Sequence, residues 1–380
     1  MLIVNQHAVP IAVDVVNAFA AAGKKVTLFT GYVETGGKPL HPSVRLVSSV
    51  TYRRGSTFSR LFTWLAFSAH YFLYLLFIRR PGPVLVVTNP PLAPLITYWV
   101  SRIRYFEFYI QVYDLYPEAL AQAGFIKPGS GLYRWWQSFN KHVFRAARLI
   151  FTLSASMREA LQPYVPVSGI RVIHNWVDTT FIRPIPRHEN PFLNTRQWHQ
   201  KHIILYSGNM GLTHDLESLI EAARILRNRS DLLFLFIGEG GKKQKLEDMV
   251  HQYALQHVRF LGYQPPDQFP FALAASDIGV VTLGTGGEGI SVPSKTYSTM
   301  AAGSCLLVIA PQESELTRLV EHHEAGIAVE PGQPERLAAA VETLIADTQR
   351  LSKYQSAARA AALLFSPDNA FLYVREIFPA

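Results

Sequence analysis

The chain has 380 residues, 49% of them hydrophobic and 17% charged, which suits two domain cores better than one. A single cysteine, Cys305, inside the apolar run CLLVIA, excludes a disulfide framework and a cysteine-based zinc site and fits a reducing, cytosolic setting. The net charge of +8 is uneven, with 19 Lys and Arg against 7 Asp and Glu in residues 1–185 and 17 against 21 in the remainder, so the first half calls for an anionic partner, nucleic acid or an acidic membrane surface.

LIVNQ opens the chain as a strand, and VNAFAAAGKKVTLFTG reads as a helix ending near Gly23 followed by a strand. Next, RLFTWLAFSAHYFLYLLFIRR holds 18 residues, 61–78, between Arg60 and the Arg79-Arg80 pair, the lower limit for a membrane span. Thr63, Ser68 and His70 interrupt it. Two readings compete: a packed apolar helix of the first domain, and a helix in the membrane plane with Trp64, Phe67, Tyr71 and Tyr74 at the interface. The aromatic residues accompany apolar runs and not a Lys/Arg-rich motif, which favours a membrane surface over nucleic acid.

VLVVTNPPLAPL reads as a strand ending at Thr88, FEFYIQVYDLYPEAL and ARLIFTLSASMREAL repeat the strand-helix pattern, and IRVIHNWVD closes the first half. IRPIPRHENPFLNTRQWHQ, with three prolines, reads as an interdomain linker. The alternation then restarts with HIILYSGNMG and continues through LLFLFIGEGG, VRFLGY, IGVVTL, CLLVIA and GIAVE, with helices between. Strands alternating with helices imply parallel sheets covered on both faces. The expected architecture is α/β with two doubly wound, Rossmann-like domains facing a cleft, 1–185 and 186–363, and a last helix at about 364–380 packing back on the first. Ligands in such folds bind beyond the carboxyl ends of the strands.

At those ends, YSGNMG sets Gly208, Asn209 and Gly211 before a helix expected near His214, and IGEGGKK sets Gly238, Gly240 and Gly241 before Lys242 and Lys243. Glycines let a backbone approach a ligand closely, and a helix start offers unpaired N–H groups to an anion. Neither stretch is a P-loop, and each alone also fits an ordinary strand-to-helix turn. The third stretch, GEGISVPSKTYSTMAAG (287–303), places Glu288 in a loop whose Gly289 and Ile290 backbone can face a phosphate. Pro293 suits the first turn of the helix that follows, where Ser294 donates a hydrogen bond and Lys295 adds a cation. An acid for sugar hydroxyls beside a cationic helix start describes a nucleotide-sugar site.

In that order, YDLYPEAL, FTLSASMREAL, VIHNWVD, LYSGNMG, IGEG, RFLGYQP, VPSKTYSTMAAG and GIAVEPGQPERLAAAV resemble the GT-B glycosyltransferases of the large retaining family 4. The resemblance runs from about residue 1 to 380 and is nearest to the bacterial branch that builds capsule, O-antigen and exopolysaccharide repeat units. In that family's acid-x7-acid signature the first glutamate contacts the donor sugar and the second the ribose. Glu288 matches the first, but Ser298 stands in the second position and the spacing is ten residues. The Arg and Lys that the family often carries after the first strand of its nucleotide domain are absent from GNMGLTHDLES. Lys295 is the substitute, backed by Lys242 or Lys243, although a solvated helix-start lysine is the plainer reading.

The resemblance places Tyr263 against the base, unless it only caps the cleft. The family's strand-end His-Asp appears as Tyr113-Asp114. Asp114 becomes the polar group for the acceptor or its departing proton, or else a helix N-cap. The glycine-rich first loop is missing, His7 standing in NQHAVP instead, and Asn175 and Asp178 match the family's hinge-side motif.

These likenesses imply transfer of a sugar from a nucleoside diphosphate donor, UDP ahead of GDP, with retention at the anomeric carbon. The expected acceptor is a saccharide on polyprenyl diphosphate at the cytoplasmic face of an anionic membrane. No acidic pair with metal-ligand spacing accompanies the site, so a metal-independent reaction without a cofactor is expected. Two rivals stay open: a non-hydrolysing nucleotide-sugar 2-epimerase, disfavoured by the scarcity of acids in the first half, and a non-catalytic scaffold, motivated by Tyr113, Ser298 and the glycine-free first loop.

Overall fold

The computed structural model describes residues 1–53, 57–122, 124–283 and 293–379. In chain order the first strands are β1 Leu2–Val4, β2 His7–Ala8, β3 Thr27–Thr30, β4 Tyr32–Val33, β5 Arg45–Ser48, β6 Val84–Val87, β7 Phe108–Gln111, β8 Ile150–Thr152 and β9 Ile170–Val172. With them come helices α1 Pro10–Ala21, α2 Thr57–Phe77, α3 Ala93–Arg104, α4 Glu118–Gln122, α5 Gly131–Ala146 and α6 Ala155–Leu161. The second set comprises β10 His202–Ser207, β11 Leu232–Ile237, β12 Val258–Leu261, β13 Ile278–Thr282, β14 Cys305–Ile309 and β15 Gly326–Val329. Its helices are α7 Pro191–Arg196, α8 Glu217–Ile225, α9 Lys243–Gln252, α10 Phe269–Ala274, α11 Lys295–Ala301, α12 Glu315–His322, α13 Pro334–Ala346 and α14 Thr348–Leu363, followed by α15 Ala370–Ile377.

Residues 1–175 with the C-terminal 367–379 form one compact unit, and the described residues of 176–366 form another. The first is built on a parallel sheet ordered β5-β3-β1-β6-β7-β8-β9, the second on a parallel sheet ordered β12-β11-β10-β13-β14-β15. Both are doubly wound: strand order reverses between β1 and β6 in one and between β10 and β13 in the other, the position at which sheets of this kind bind ligands. Every residue of β11, LLFLFI, is buried, as a strand covered on both faces requires.

The proline-bearing stretch at 182–200 is packed into the second unit. Phe192 and Leu193 are buried, and Arg187 donates to the Asp277 carboxylate at 3.1 Å and to the carbonyls of Trp198, His199 and Lys201. The division falls between Asn175 and Trp176, ahead of that stretch, because Val177 N–H donates to Phe365 O and Arg359 reaches the carbonyls of Thr179 and Ile182. Prolines here shape a fixed path, and a composition signal for a linker cannot tell that from freedom. Helix α15 belongs to the first unit: Phe378 packs edge-on to Phe19 at 6.1 Å, and Glu376 pairs with Arg171 at 2.8 Å.

Helix α2 has two apolar faces. Thr63, Phe67, Tyr71 and Leu75, four apart, are buried, with Phe29 set against the Phe67, Tyr71 and Tyr74 rings at 5.0–5.5 Å. The Tyr71 hydroxyl meets Thr97 Oγ1 of α3 at 2.7 Å. The opposite face leaves Phe58, Leu61, Phe62, Leu65, Leu73 and Phe77 exposed, Phe62 by 62% and Phe77 by 76%. Among the described residues no helix is long and apolar enough to cross a membrane.

Candidate functional site

At the switch point of the second unit, β10 ends in Tyr206-Ser207 and runs into the Gly208 turn. The chain returns from β13 to α11, whose first residue, Lys295, comes back to the same place. Its Nζ donates to Tyr206 Oη at 2.7 Å and lies 3.9 Å from the centroid of that ring. The Tyr206 hydroxyl donates in turn to Asn209 O at 2.6 Å and stands 2.8 Å from His214 Nδ1. The single phenol proton goes to the carbonyl, so Nδ1 must carry the proton it gives to Oη and Nε2 is left bare.

No ion pair links Lys295 to a carboxylate among the described residues. Burial pushes its ammonium down to about 7, since no carboxylate among the described residues offsets the loss of water around the charge. The same burial, with Lys295 and Lys242 nearby, pushes His214 down to about 4, so the imidazole is neutral and offers no relief. The cation faces the open side of Gly208, where an added Cβ would lie 3.6 Å from Nζ. Gly208 and Met210 donate their N–H groups to Ile237 O and Glu239 O, whereas those of Asn209 and Gly211 make no bond among the described residues. Two amides without a partner among the described residues, beside an ammonium without a carboxylate among them, suit an anion.

The shift of Lys295 sets a pH dependence. The unfolded chain holds this proton up to the ordinary 10.5 whereas the folded chain loses it near 7. In that window the unfolded state binds more protons, so the lysine's contribution to stability rises with pH. Lys295→Met should melt above wild type at pH about 6, with the gap closing towards pH about 9. Calorimetric melts of both proteins across that range check it.

Several sequence-selected residues have other partners. Lys242 Nζ is held by Glu217 Oε2 and His214 O, each at 2.7 Å, and Lys245 adds a second pair to Glu217 at 2.9 Å. Burial alone would raise the Glu217 carboxyl, but these two lysines hold it down to about 2. Lys242 thus anchors the α9 start to α8, which begins at Glu217 and not near His214 because Asp215 Oδ1 accepts from Ser218 N–H. Lys243 pairs with Glu239 at 2.8 Å. Ser298 Oγ donates to Lys295 O at 2.9 Å, Ser294 is exposed, and Tyr263 is 61% exposed. Gly238 and Gly240 shape the second turn against the first: a Cβ on Gly238 would lie 2.0 Å from Gly208 O. Glu288, Gly289 and Ile290 lie outside the described residues.

In the first unit the carboxyl edge of the sheet carries Asp114 and Tyr113, both half-buried, whose N–H groups donate to Thr88 Oγ1 at 3.4 and 3.2 Å. The Asp114 carboxylate caps no helix and accepts no hydrogen bond among the described residues; burial raises it above the ordinary carboxyl range. The Tyr113 phenol is pushed up to about 12 by burial. His7 Nε2 lies 3.3 Å from Glu34 Oε2, and its ring stands edge-on to Tyr32. Asp178 Oδ1 closes a turn by accepting from Thr180 and Phe181 N–H.

Sequence reasoning selected Asn175 but missed the other members of a row of buried polar atoms on this edge. Gln6 Oε1 after β1, Asn89 Oδ1 after β6, Thr152 Oγ1 at the end of β8 and Asn175 Oδ1 after β9 have no hydrogen-bond partner among the described residues. Buried acceptors left this way are costly, and their shared strand-end position suits a hydroxyl-rich ligand. Tyr206 and His214 were missed too. One sits inside an apolar strand and the other beside a helix start, positions where sequence carries no functional signal.

The chain matches two family models, Glycosyltransferase Family 4 over residues 10–181 and Glycosyl transferases group 1 over residues 194–361. WbjE of Pseudomonas aeruginosa, by name a probable glycosyltransferase, is 30% identical over 70% of this chain and 66% of its own length. WcaI of Escherichia coli K12, by name a colanic acid biosynthesis glycosyl transferase, is 30% identical over 55% of this chain and 51% of its own. The chain thus spans only about half to two thirds of these relatives. Among solved structures, HepE of Anabaena with UDP and glucose bound matches 99% of this chain and 98% of its own with a TM-score of 0.72 at 17% identity. WaaG, a glycosyltransferase of lipopolysaccharide biosynthesis, matches 100% of both chains with a TM-score of 0.73 at 15% identity. Two parallel doubly wound units, the likeness to these GT-B structures and the two family models agree: the chain belongs to the glycosyltransferases, with a family 4 first unit and a group 1 second unit.

Proposed function

We propose that this protein transfers a sugar from a nucleoside diphosphate donor, UDP ahead of GDP, to a lipid-linked saccharide acceptor in cell-surface polysaccharide synthesis, with retention at the anomeric carbon. The observation that carries this is the Lys295 ammonium, without a carboxylate partner among the described residues, beside the Gly208 turn at a topological switch point. As the glycosidic bond breaks, negative charge grows on the departing diphosphate. Lys295 and the N–H groups of Asn209 and Gly211, which make no bond among the described residues, stand at one turn to meet it. The bare Nε2 of His214 can accept a hydrogen bond from a ligand hydroxyl. Glu288 keeps its expected role on the donor sugar, and Tyr263, exposed before binding, is free to cover the base. The leaving phosphate takes the acceptor proton, and Asp114, half-buried and with no hydrogen bond to its carboxylate among the described residues, orients the acceptor hydroxyl.

HepE was solved with UDP and with UDP-glucose, and WcaI carries colanic acid in its name. Both favour this donor and product class. The apolar outer face of α2 and the excess of Arg and Lys in residues 1–185 support an anionic membrane surface at the cytoplasmic face as the meeting place with the acceptor. The charge that a metal ion would meet falls to Lys295 and the N–H groups, and we propose a metal-independent, cofactor-free reaction.

Thermal melts with UDP, GDP, ADP, CMP and TDP, with and without EDTA, test this reading. One nucleoside diphosphate is expected to raise the melting temperature regardless of EDTA, and the protein should float with phosphatidylglycerol vesicles at low salt and release at high salt. No shift with any nucleotide would remove the donor site. Nucleotide binding without sugar transfer to any membrane extract would favour the scaffold.

A further inference from the structure

In the first unit, α3 and α5 leave a cavity of about 110 Å³ between them, lined mainly by Leu95, Tyr116, Trp136 and Phe139. Its inner end is Thr88, the residue whose hydroxyl accepts the Asp114 and Tyr113 amides, so it opens from the sheet edge proposed for the acceptor. Its outer end is flanked by Leu132 and Trp135, exposed by 54% and 59%. The rings are arranged face to face: Tyr116 with Trp136 at 6.4 Å and Trp135 with Phe139 at 5.9 Å. Apolar residues of α5 recur at 132, 135, 136, 139 and 143, the spacing of one helix face. Arg134, Lys141 and Arg145 recur on the opposite side of α5, Arg145 donating to Tyr164 O. Helices α2, α3 and α5 contain no Asp or Glu, and Arg102, Arg134 and Lys141 are exposed and enter no ion pair among the described residues.

We propose that this cavity binds the head-proximal segment of the acceptor's isoprenoid chain. The proposal rests on the lipid-linked acceptor inferred above and deepens it. A space of this size takes a short branched segment and not a whole chain. Flat rings suit the planar double bonds of isoprene units, and the acid-free, arginine-bearing helices complement the phosphates that join chain to sugar. The rest of the chain leaves over Leu132 and Trp135. The saccharide stays at the strand ends, with Asp114 and with Gln6 Oε1, Asn89 Oδ1, Thr152 Oγ1 and Asn175 Oδ1, which have no partner among the described residues.

Calorimetric titration of the full chain with farnesyl diphosphate and with inorganic pyrophosphate tests this. Farnesyl diphosphate should bind at least about tenfold tighter. Leu95→Trp, which fills the cavity, and Leu132→Gln, at its exposed mouth, should each erase that preference, with sedimentation on phosphatidylglycerol vesicles and the nucleotide-induced melting shift unchanged. Equal affinity for the two ligands in wild type, or a preference surviving in both variants, would overturn it. If Leu95→Trp shows no folded transition, Leu132→Gln decides alone. Loss of vesicle binding in wild type with the farnesyl preference intact would remove the membrane reading and leave this one standing.

Discussion

Lys295→Met is expected to bind nucleoside diphosphate at least about a hundredfold more weakly than wild type at neutral pH, because a charge-assisted contact to phosphate is lost from a partly desolvated site. The free variant should nevertheless be at least as stable as wild type. In the wild-type site the ammonium is held by a phenol hydroxyl and an aromatic face, and burial pushes it down to about 7. Removing an uncompensated charge from such a place often stabilises, by roughly 1–3 kcal/mol. Calorimetric titration and thermal melting of the same preparation separate the two effects. A variant that binds like wild type, or one that is folded yet markedly less stable, would show that Lys295 serves the fold and not a ligand.

Gly238→Ala should destabilise the second unit severely. Residue 238 has φ near +139, outside the range open to alanine, and the added methyl carbon would lie 2.0 Å from Gly208 O. Relief would require parting β10 from β11 at their carboxyl ends, where Gly208 N–H bonds Ile237 O. A cost of about 3–5 kcal/mol is expected, visible as a large fall in melting temperature or loss of soluble protein. Any variant that does fold should have a displaced Gly208 turn and weaker nucleotide binding. A Gly238→Ala protein with unchanged melting and unchanged affinity would contradict the interlocked turns.

Much of the fold was legible because burial on both sheet faces leaves continuous apolar runs such as LLFLFI and CLLVIA, with glycines punctuating the strand ends. Lys295 was legible as a cation at a helix start, but its setting was not. The Tyr206 that holds it is 89 positions away in the chain, and His214, bonded to that phenol, is 81 away; only the switch-point topology brings them together. Proline content misplaced the unit boundary, since Arg187 and Asp277, far apart in sequence, fix 182–200 in the second unit. Lys242 read as a phosphate ligand because its pairing with Glu217 depends on a helix-to-helix approach that no local pattern announces. On α2, composition could not assign the apolar surplus to one face or both; the four-residue stripe through Phe67 and Tyr71 turns inward, and the remainder stays outside.

The central claim is that Lys295 is the charge that meets the diphosphate. It is tested most directly by titrating the nucleotide that shifts the melting temperature at pH about 8, in buffers of different ionisation enthalpy, with wild type and Lys295→Met. A lysine free to lose its proton near 7 must regain it when an anion arrives, so wild type should take up between about half and one proton per nucleotide more than the variant. Equal proton uptake by the two proteins, with comparable affinity, would contradict the assignment.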